Sequence, residues 1–283
     1  MKMEPQEVNE ALGRGFYGVW HVLDTYELAS LAGPGPEGTH RVLFPNGTIA
    51  KVYAPILHPE LPSLFAKLHP GDEQAVINFA RVYGHLTPGA VVHGDPLPWI
   101  WAHAATVRLC VQITHHLQAD TVEGLDQYLR SLRGQWLDDR EYWPCTQVAK
   151  QGDITTAGWP QPRYHTMQKR EHAIRHIARL IRRDVINWNI AGIHFVVQEI
   201  DGKDRSVFSC QSLIDMVYWH VANAINGQSV RRCANQRCGA LFIQTRQGQQ
   251  YCPARWRQNG RQKDSPCASG SRVQKHRSKP AHQ

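Results

Sequence analysis

The sequence predicts an α+β fold: a mainly helical N-terminal domain with two short β-hairpins over residues 1–228, then a small cysteine-bearing module over 229–283. Three observations carry this reading. Several long stretches repeat apolar residues at helical spacing, and two β-rich stretches bracket Asn-Gly and Asp-Gly dipeptides. After Gln228-Ser229 aliphatic and aromatic density falls while Arg, Gln and Lys rise, which places a domain boundary at about residue 229.

The elements follow in chain order. In "RVLFPNGTIAKVYAP" (Arg41 to Pro55) two β-rich runs flank Asn46-Gly47, a dipeptide that supplies the positive φ of a tight turn, so a hairpin is expected there. "GDEQAVINFARVYGHL" (Gly71 to Leu86) sets Ala75, Val76, Phe79, Ala80 and Tyr83 at helical spacing behind an acidic first turn at Asp72 and Glu73. "PWIWAHAATVRLCVQITHHL" and "TVEGLDQYLRSLRGQWL" read as two further helices, and Trp143 to His165 as a long loop. "MQKREHAIRHIARLIRRDVINWNI" is helical, with Ile174, Ile177, Leu180 and Ile181 on one face and Arg175, Arg179, Arg182 and Arg183 largely off it. "IHFVVQEIDGKDRSVFSC" is a second hairpin about Asp201-Gly202. In "SLIDMVYWHVANAING", Ser212 and Asp215 have capping-box spacing and Gly227 suits a left-handed helix terminus.

Composition bounds the class. At 42% hydrophobic and 20% charged, 283 residues are enough for a sizeable core and too apolar for a disordered chain. No apolar run approaches the ~20 residues of a membrane-spanning helix, so no membrane partner is expected. The opening "MKMEPQEVNEALGRG" lacks the apolar core of a secretory signal, and a cytoplasmic location is expected. The formal charge of +8 is unevenly placed. Residues 229–283 hold 12 Lys+Arg against one acid, Asp264, a net +11, whereas residues 1–228 hold 20 basic and 23 acidic side chains. So concentrated a positive field is the footprint of contact with nucleic acid or another anionic surface. The bland alternative is a solvated basic tail.

Of seven cysteines, Cys110, Cys145 and Cys210 are scattered singly and read as buried thiols in a reducing compartment. The other four form the series Cys233-x4-Cys238-x13-Cys252-x14-Cys267 in the basic tail. A close pair from one turn, with further ligands brought across by a hairpin or helix, is how one tetrahedral Zn²⁺ is enclosed. The competing reading is redox or coincident cysteines, and His276 is an alternative fourth ligand. "GALFIQTRQGQQY" reads as a strand, a turn at Gly248 and a return, which lets Phe242 and Tyr251 cover the metal in a zinc-ribbon or treble-clef-like module. Four protein ligands leave no position for water, so the metal is expected to be structural and no enzyme activity is expected of it. Arg255, Arg257, Arg261, Lys263, Arg272, Lys275 and Arg277 are then the candidate phosphate contacts.

"RRCANQRCGALFIQTRQGQQYC" resembles the start of the CGNR-type bacterial zinc finger: an arginine-preceded C-x4-C, a following Phe, a polar turn and an aromatic-Cys pair. "ASGSRVQKHR" is similar to the basic helix that closes such modules. The family places its fourth cysteine five positions after the third, inside a Cys-Gly-Asn-Arg signature. Here that position is Arg257, so an insertion of about ten residues within "PARWRQNGRQKDSP" would move the ligand to Cys267. The resemblance implies a stress-linked transcription regulator whose N-terminal, mainly helical domain senses a ligand or dimerises and whose tail binds double-stranded DNA. Two other classes stay open: an RNA-binding or ribosome-associated protein, and an enzyme or interaction protein with a purely structural zinc module.

Other motifs weigh less. "GRGFYG" (Gly13 to Gly18) matches G-x-G-x-x-G without the preceding buried strand a dinucleotide site needs. His172 and His176 have metal-pair spacing, but Ala173 stands where a zinc hydrolase carries its catalytic Glu, and a solvated face is the simpler reading. His115 and His116, being adjacent, point to different helix faces. Trp99, Trp101, Trp136, Trp143 and Trp159 suit core packing or, alternatively, a ligand pocket.

Overall fold

A computed structural model of the chain describes residues 16, 18–32, 39–88, 90–119, 122–129, 167–190, 192–200, 202–225, 230–253 and 265–270. Strands β1 (Trp20–Ala32) and β2 (Thr39–Tyr53) form a long antiparallel hairpin, paired from Trp20↔Tyr53 to Ala32↔Thr39. Asn46-Gly47 is therefore not a hairpin turn: β2 runs straight through it. The register shifts between Leu23 and Thr25, where Gly47 and Thr48 together face Asp24. Thr48 donates to Asp24 through its N–H (3.1 Å) and its hydroxyl (3.0 Å), and a Cβ on Gly47, at φ +102°, would collide with that carboxylate. A bulge and a tight turn both need a left-handed glycine, which is why the dipeptide misleads.

After a 3₁₀ turn at Pro55–Leu57 come α1 (Leu61–Phe65) and α2 (Glu73–Tyr83). The Asp72 carboxylate accepts from Ala75 N–H at 2.9 Å as the N-cap of α2, and Val76, Phe79, Ala80 and Tyr83 are its buried stripe, the spacing the sequence predicts. The helix stops at Gly84, φ +91°, where a Cβ would lie 2.7 Å from the His21 carbonyl oxygen. Beyond α3 (Ala90–His93), strand β3 (Asp95–Pro96) adds to the free side of β2, giving sheet order β1-β2-β3.

The central element is α4 (Leu97–Gln118), which is buried on most of its surface, including Ile100, Trp101, Val107, Leu109 and Ile113. Each such side chain removed from water contributes about 1.5–3 kcal/mol. Its buried hydroxyls are satisfied within the helix, as Thr106 and Thr114 donate to the carbonyls of Ala102 and Cys110 at 2.8 Å. Helix α5 spans 122–129 and α6 runs Met167–Asn189 with Ile174, Ala178, Ile181, Val185 and Ile186 inward. The second hairpin is where the sequence places it: β4 (Ile193–Ile200) pairs with β5 (Lys203–Cys210) across Gly202 at φ +71°. Helix α7 (Leu213–Ile225) begins with Asp215 N–H donating to the Ser212 hydroxyl at 3.2 Å, and packs with α4 and α6. Trp101 is buried and Trp99 packs at the core edge with its ring 4.4 Å from His103. Trp136, Trp143, Trp159, Cys145, Gly227 and the expected loop from Trp143 to His165 lie outside the described residues. Among the described residues no helix is long and apolar enough to cross a membrane.

Candidate metal centre

The C-terminal module begins with β6 (Val230–Arg232), which pairs antiparallel with β7 (Leu241–Ile243) from Val230↔Ile243 to Arg232↔Leu241. The expected return strand after Gly248 is thus replaced by pairing with the segment upstream of the first cysteine. Gly248, at φ +76°, does turn the chain, and the returning backbone meets the first cysteine loop instead, Ala234 N–H donating to the Gln250 carbonyl at 2.9 Å.

Between the strands the chain forms a tight knuckle. Asn235 O accepts from Cys238 N–H at 2.9 Å and from Gly239 N–H at 3.1 Å, Gly239 takes φ +57°, and Cys233 N–H returns to the Ala240 carbonyl at 2.9 Å. That loop folds both sulfurs of the C-x4-C pair to one side. The Asn235 amide then reaches across the module, its Nδ2 donating to the Cys267 carbonyl at 3.2 Å while its Oδ1 accepts from Arg237 N–H at 3.1 Å. Cys267 stands in a short helix, α8, spanning 266–270.

These elements bring the sulfurs of Cys233, Cys238, Cys252 and Cys267 within 4.8 Å of one another. Cys238 Sγ and Cys252 Sγ are 3.6 Å apart, and all four cysteines are free. A disulfide would need about 2.05 Å. Four thiolates about 2.3 Å from one tetrahedral ion are spaced about 3.8 Å apart, so the group can close on a single metal ion with little movement. Cys233 and Cys252 are buried, Cys238 and Cys267 half-buried, and Phe242, wholly inaccessible, closes the cluster with Tyr251 against it. Both aromatics stand where the sequence places them.

Burial pushes the Cys252 thiol up, and pushes Cys267 up to about 11, where the neighbouring thiols add to the effect. Burial acts on Cys238 in the same direction, but donation from the Ala240 N–H and from the Cys267 and Cys252 thiols outweighs it and takes Cys238 down. Four sulfurs this close do not ionise together unaided; a divalent cation is what makes four thiolates compatible in one shell. The Lys67 ammonium lies against the cluster as a hydrogen-bond donor to Cys252 and an attractive charge on Cys238.

The module is seated on the N-terminal helices. Val230 and Ile243 belong to the same apolar core as α4 and α7, Val230 N–H donates to the Gln118 side-chain carbonyl at 2.8 Å, and Ile243 N–H donates to the Ser63 hydroxyl at 2.9 Å. The end of α1, between Ser63 and Lys67, is tied to α4 by Arg108, whose Nη1 donates to the Ala66 carbonyl at 2.6 Å. Sequence reasoning misses Ser63, Lys67 and Gln118, since nothing local marks contacts that far along the chain. Asn235 carried a readable signal, an Asn inside the C-x4-C loop where turns favour it.

The remaining candidates are placed as follows. His276 and the expected nucleic-acid contacts Arg255, Arg257, Arg261, Lys263, Arg272, Lys275 and Arg277 lie outside the described residues. His172 and His176 lie on the exposed face of α6 with their rings nearly parallel, 6.5 Å between ring centres, and among the described residues no third donor joins them. Of "GRGFYG", only Phe16 and Gly18 are described, and Phe16 packs edge-on to Trp219 at 4.9 Å as part of a small apolar cluster. No family model, curated protein or solved structure matches this chain.

Proposed function

We propose that the four cysteines hold one structural zinc ion and that the chain is a zinc-dependent nucleic-acid-binding protein, a DNA-binding transcription regulator. The convergence of four cysteine sulfurs within 4.8 Å in the most basic part of the chain carries this reading. An all-thiolate tetrahedral shell suits Zn²⁺ among common cellular ions, and a closed shell leaves no open position for water. The ion then folds a module too small to form its own core. The chain turns helical at the last cysteine, over 266–270, and enters the basic residues Arg272, Lys275 and Arg277 directly afterwards. Arginine and lysine so placed neutralise phosphates, and those that face a groove reach guanine edges.

The test is recovery and sequencing of genomic DNA fragments retained by purified, zinc-loaded protein at near-physiological salt, beside a Cys252→Ser control. Discrete sites lost in the control are the expected result. Uniform or absent recovery from the zinc-loaded protein overturns the regulator reading.

A further inference from the structure

A cleft of about 420 Å³ opens between α6 and α7, and none of the four clustered cysteines lines it. Its lining is divided by chemistry. Ile186, Ala222 and Ile225 make an apolar floor, while Arg179, Arg182 and Arg183 bring three guanidinium groups to its sides.

The three arginines are not equivalent. Arg183 is neutralised by its neighbour, donating to the Asp184 carboxylate at 2.8 Å. Arg179 is exposed at the rim, and Arg182 is half-buried beside it. Among the described residues neither Arg179 nor Arg182 has a carboxylate partner. Among the described residues Arg182 is oriented by one hydrogen bond, from Nη1 to the Thr114 hydroxyl on α4 at 3.1 Å, which engages one of its five N–H donors. Burial and the nearby Arg179 charge both work against the Arg182 cation, although the Cys110 thiol beside it acts in its favour.

A half-buried guanidinium held next to a second one, with only a neutral partner among the described residues, is a charge arrangement that an anion would complete. The apolar floor gives that anion more to bind than its charge. Inorganic phosphate would satisfy the arginines and leave Ile186, Ala222 and Ile225 facing water. A molecule joining an acidic group to a flat or aliphatic body covers both, and the volume is that of a small-molecule site. Arginine is suited to the acidic end, because its planar fork meets carboxylate and phosphate oxygens two at a time.

We propose that the cleft between α6 and α7 is a binding site for a small organic anion, its carboxylate or phosphate held by Arg179 and Arg182 and its apolar body on Ile186, Ala222 and Ile225. This site is independent of whether the tail binds nucleic acid. It lies at the end of α7, and Val230 of the cysteine module follows Ile225 after four residues.

The experiment is calorimetric titration of the full-length, zinc-loaded chain with phenyl phosphate and with benzoate, beside inorganic phosphate and phenol as the separated halves of the ligand. One of the two aromatic anions is expected to bind at one site per chain, at least about ten-fold more tightly than either half. Arg179→Gln, a change at an exposed position, is expected to weaken it about ten-fold. Ala222→Phe, which fills the floor without altering charge, is expected to abolish it. Three results would overturn the proposal: no binding of either aromatic anion, inorganic phosphate binding as tightly as both, or affinity unchanged in both variants. A phosphate preference would identify phosphate esters as the ligand class, and a benzoate preference carboxylic acids.

Discussion

Ser63 and Ile243, 180 residues apart, are joined by a buried hydrogen bond in which the Ile243 N–H donates to the Ser63 hydroxyl at 2.9 Å. This contact seats the cysteine module on the rest of the protein together with the Val230–Gln118 hydrogen bond and the shared apolar core. It satisfies the outward backbone group of β7, and Ser63 is 1% exposed, so no water replaces it. Ser63→Ala would leave that N–H buried and unsatisfied, at a cost of about 1–3 kcal/mol. Chemical denaturation measures the loss, and amide exchange at Ile243 should rise with it; unchanged protection there would show that the bond contributes nothing.

Metal removal should be felt beyond the module. Because Val230 and Ile243 are part of the main core, loss of the cluster that orders β6 and β7 uncovers apolar surface on α1 and α4. Chelation is therefore expected to lower the melting temperature of the whole chain by more than about 4 °C, the shift that corresponds to ~2 kcal/mol in a protein of this size. A finger that merely hangs on a linker would leave the main transition in place. Far-ultraviolet circular dichroism with and without chelator separates the two.

Acid should destabilise the protein through buried histidines. His103 is taken down to about 3 by burial, and His85 to about 4 by burial and the His21 charge. Both folded-state values lie below the unfolded value near 6.5. Their contribution is therefore complete above pH 6.5 and is lost as pH falls toward the folded values, by about 1.4 kcal/mol per pH unit for each histidine once the unfolded form is protonated. Among the described residues His103 engages only its Nδ1, with the Tyr218 hydroxyl at 3.0 Å, so His103→Gln keeps a polar partner for Tyr218 and removes the titration. The stability-against-pH curve of that variant should be flatter between pH 6 and 4. An identical slope would remove His103 from the account.

On the second hairpin, two facing phenylalanines should behave differently. Phe208 contacts Phe16 and Trp219, both with ring centres 5.6 Å away, whereas Phe195 is 65% exposed. Phe208→Ser is expected to cost about 2–4 kcal/mol in denaturant unfolding, and Phe195→Ser under about 1 kcal/mol. Equal costs would mean that the exposed Phe195 ring, 5.4 Å from Phe208 across the hairpin, contributes as much packing as Phe208 does.

The helices α2 and α7 are legible in the sequence because each couples an apolar period to a recognisable boundary, Asp72 for α2 and the Ser212 and Asp215 pair for α7, whereas α6 is legible from its apolar stripe and α4 from its long apolar run. The hairpin at Asp201-Gly202 is legible because both strands are short and the turn residues stand alone between them. Asn46-Gly47 misleads for a physical reason: β2 continues through it to pair with β1, the strand just before it, and local sequence does not say whether a left-handed glycine marks a turn or a bulge. Nor does local sequence say that the partner of β7 precedes Cys233. Four cysteines announce a metal centre by their side-chain chemistry. The Ser63 hydroxyl and Lys67 ammonium that support it are ordinary residues, made relevant only by tertiary packing.

The most direct test of the central claim is X-ray absorption at the zinc edge on the purified full-length chain, with metal content measured on the same sample. One zinc per chain surrounded by four sulfurs at about 2.3 Å is the predicted result. A shell containing nitrogen or oxygen in place of a sulfur would contradict the four-cysteine assignment, and so would a Cys252→Ser variant that keeps both its full zinc content and the same spectrum.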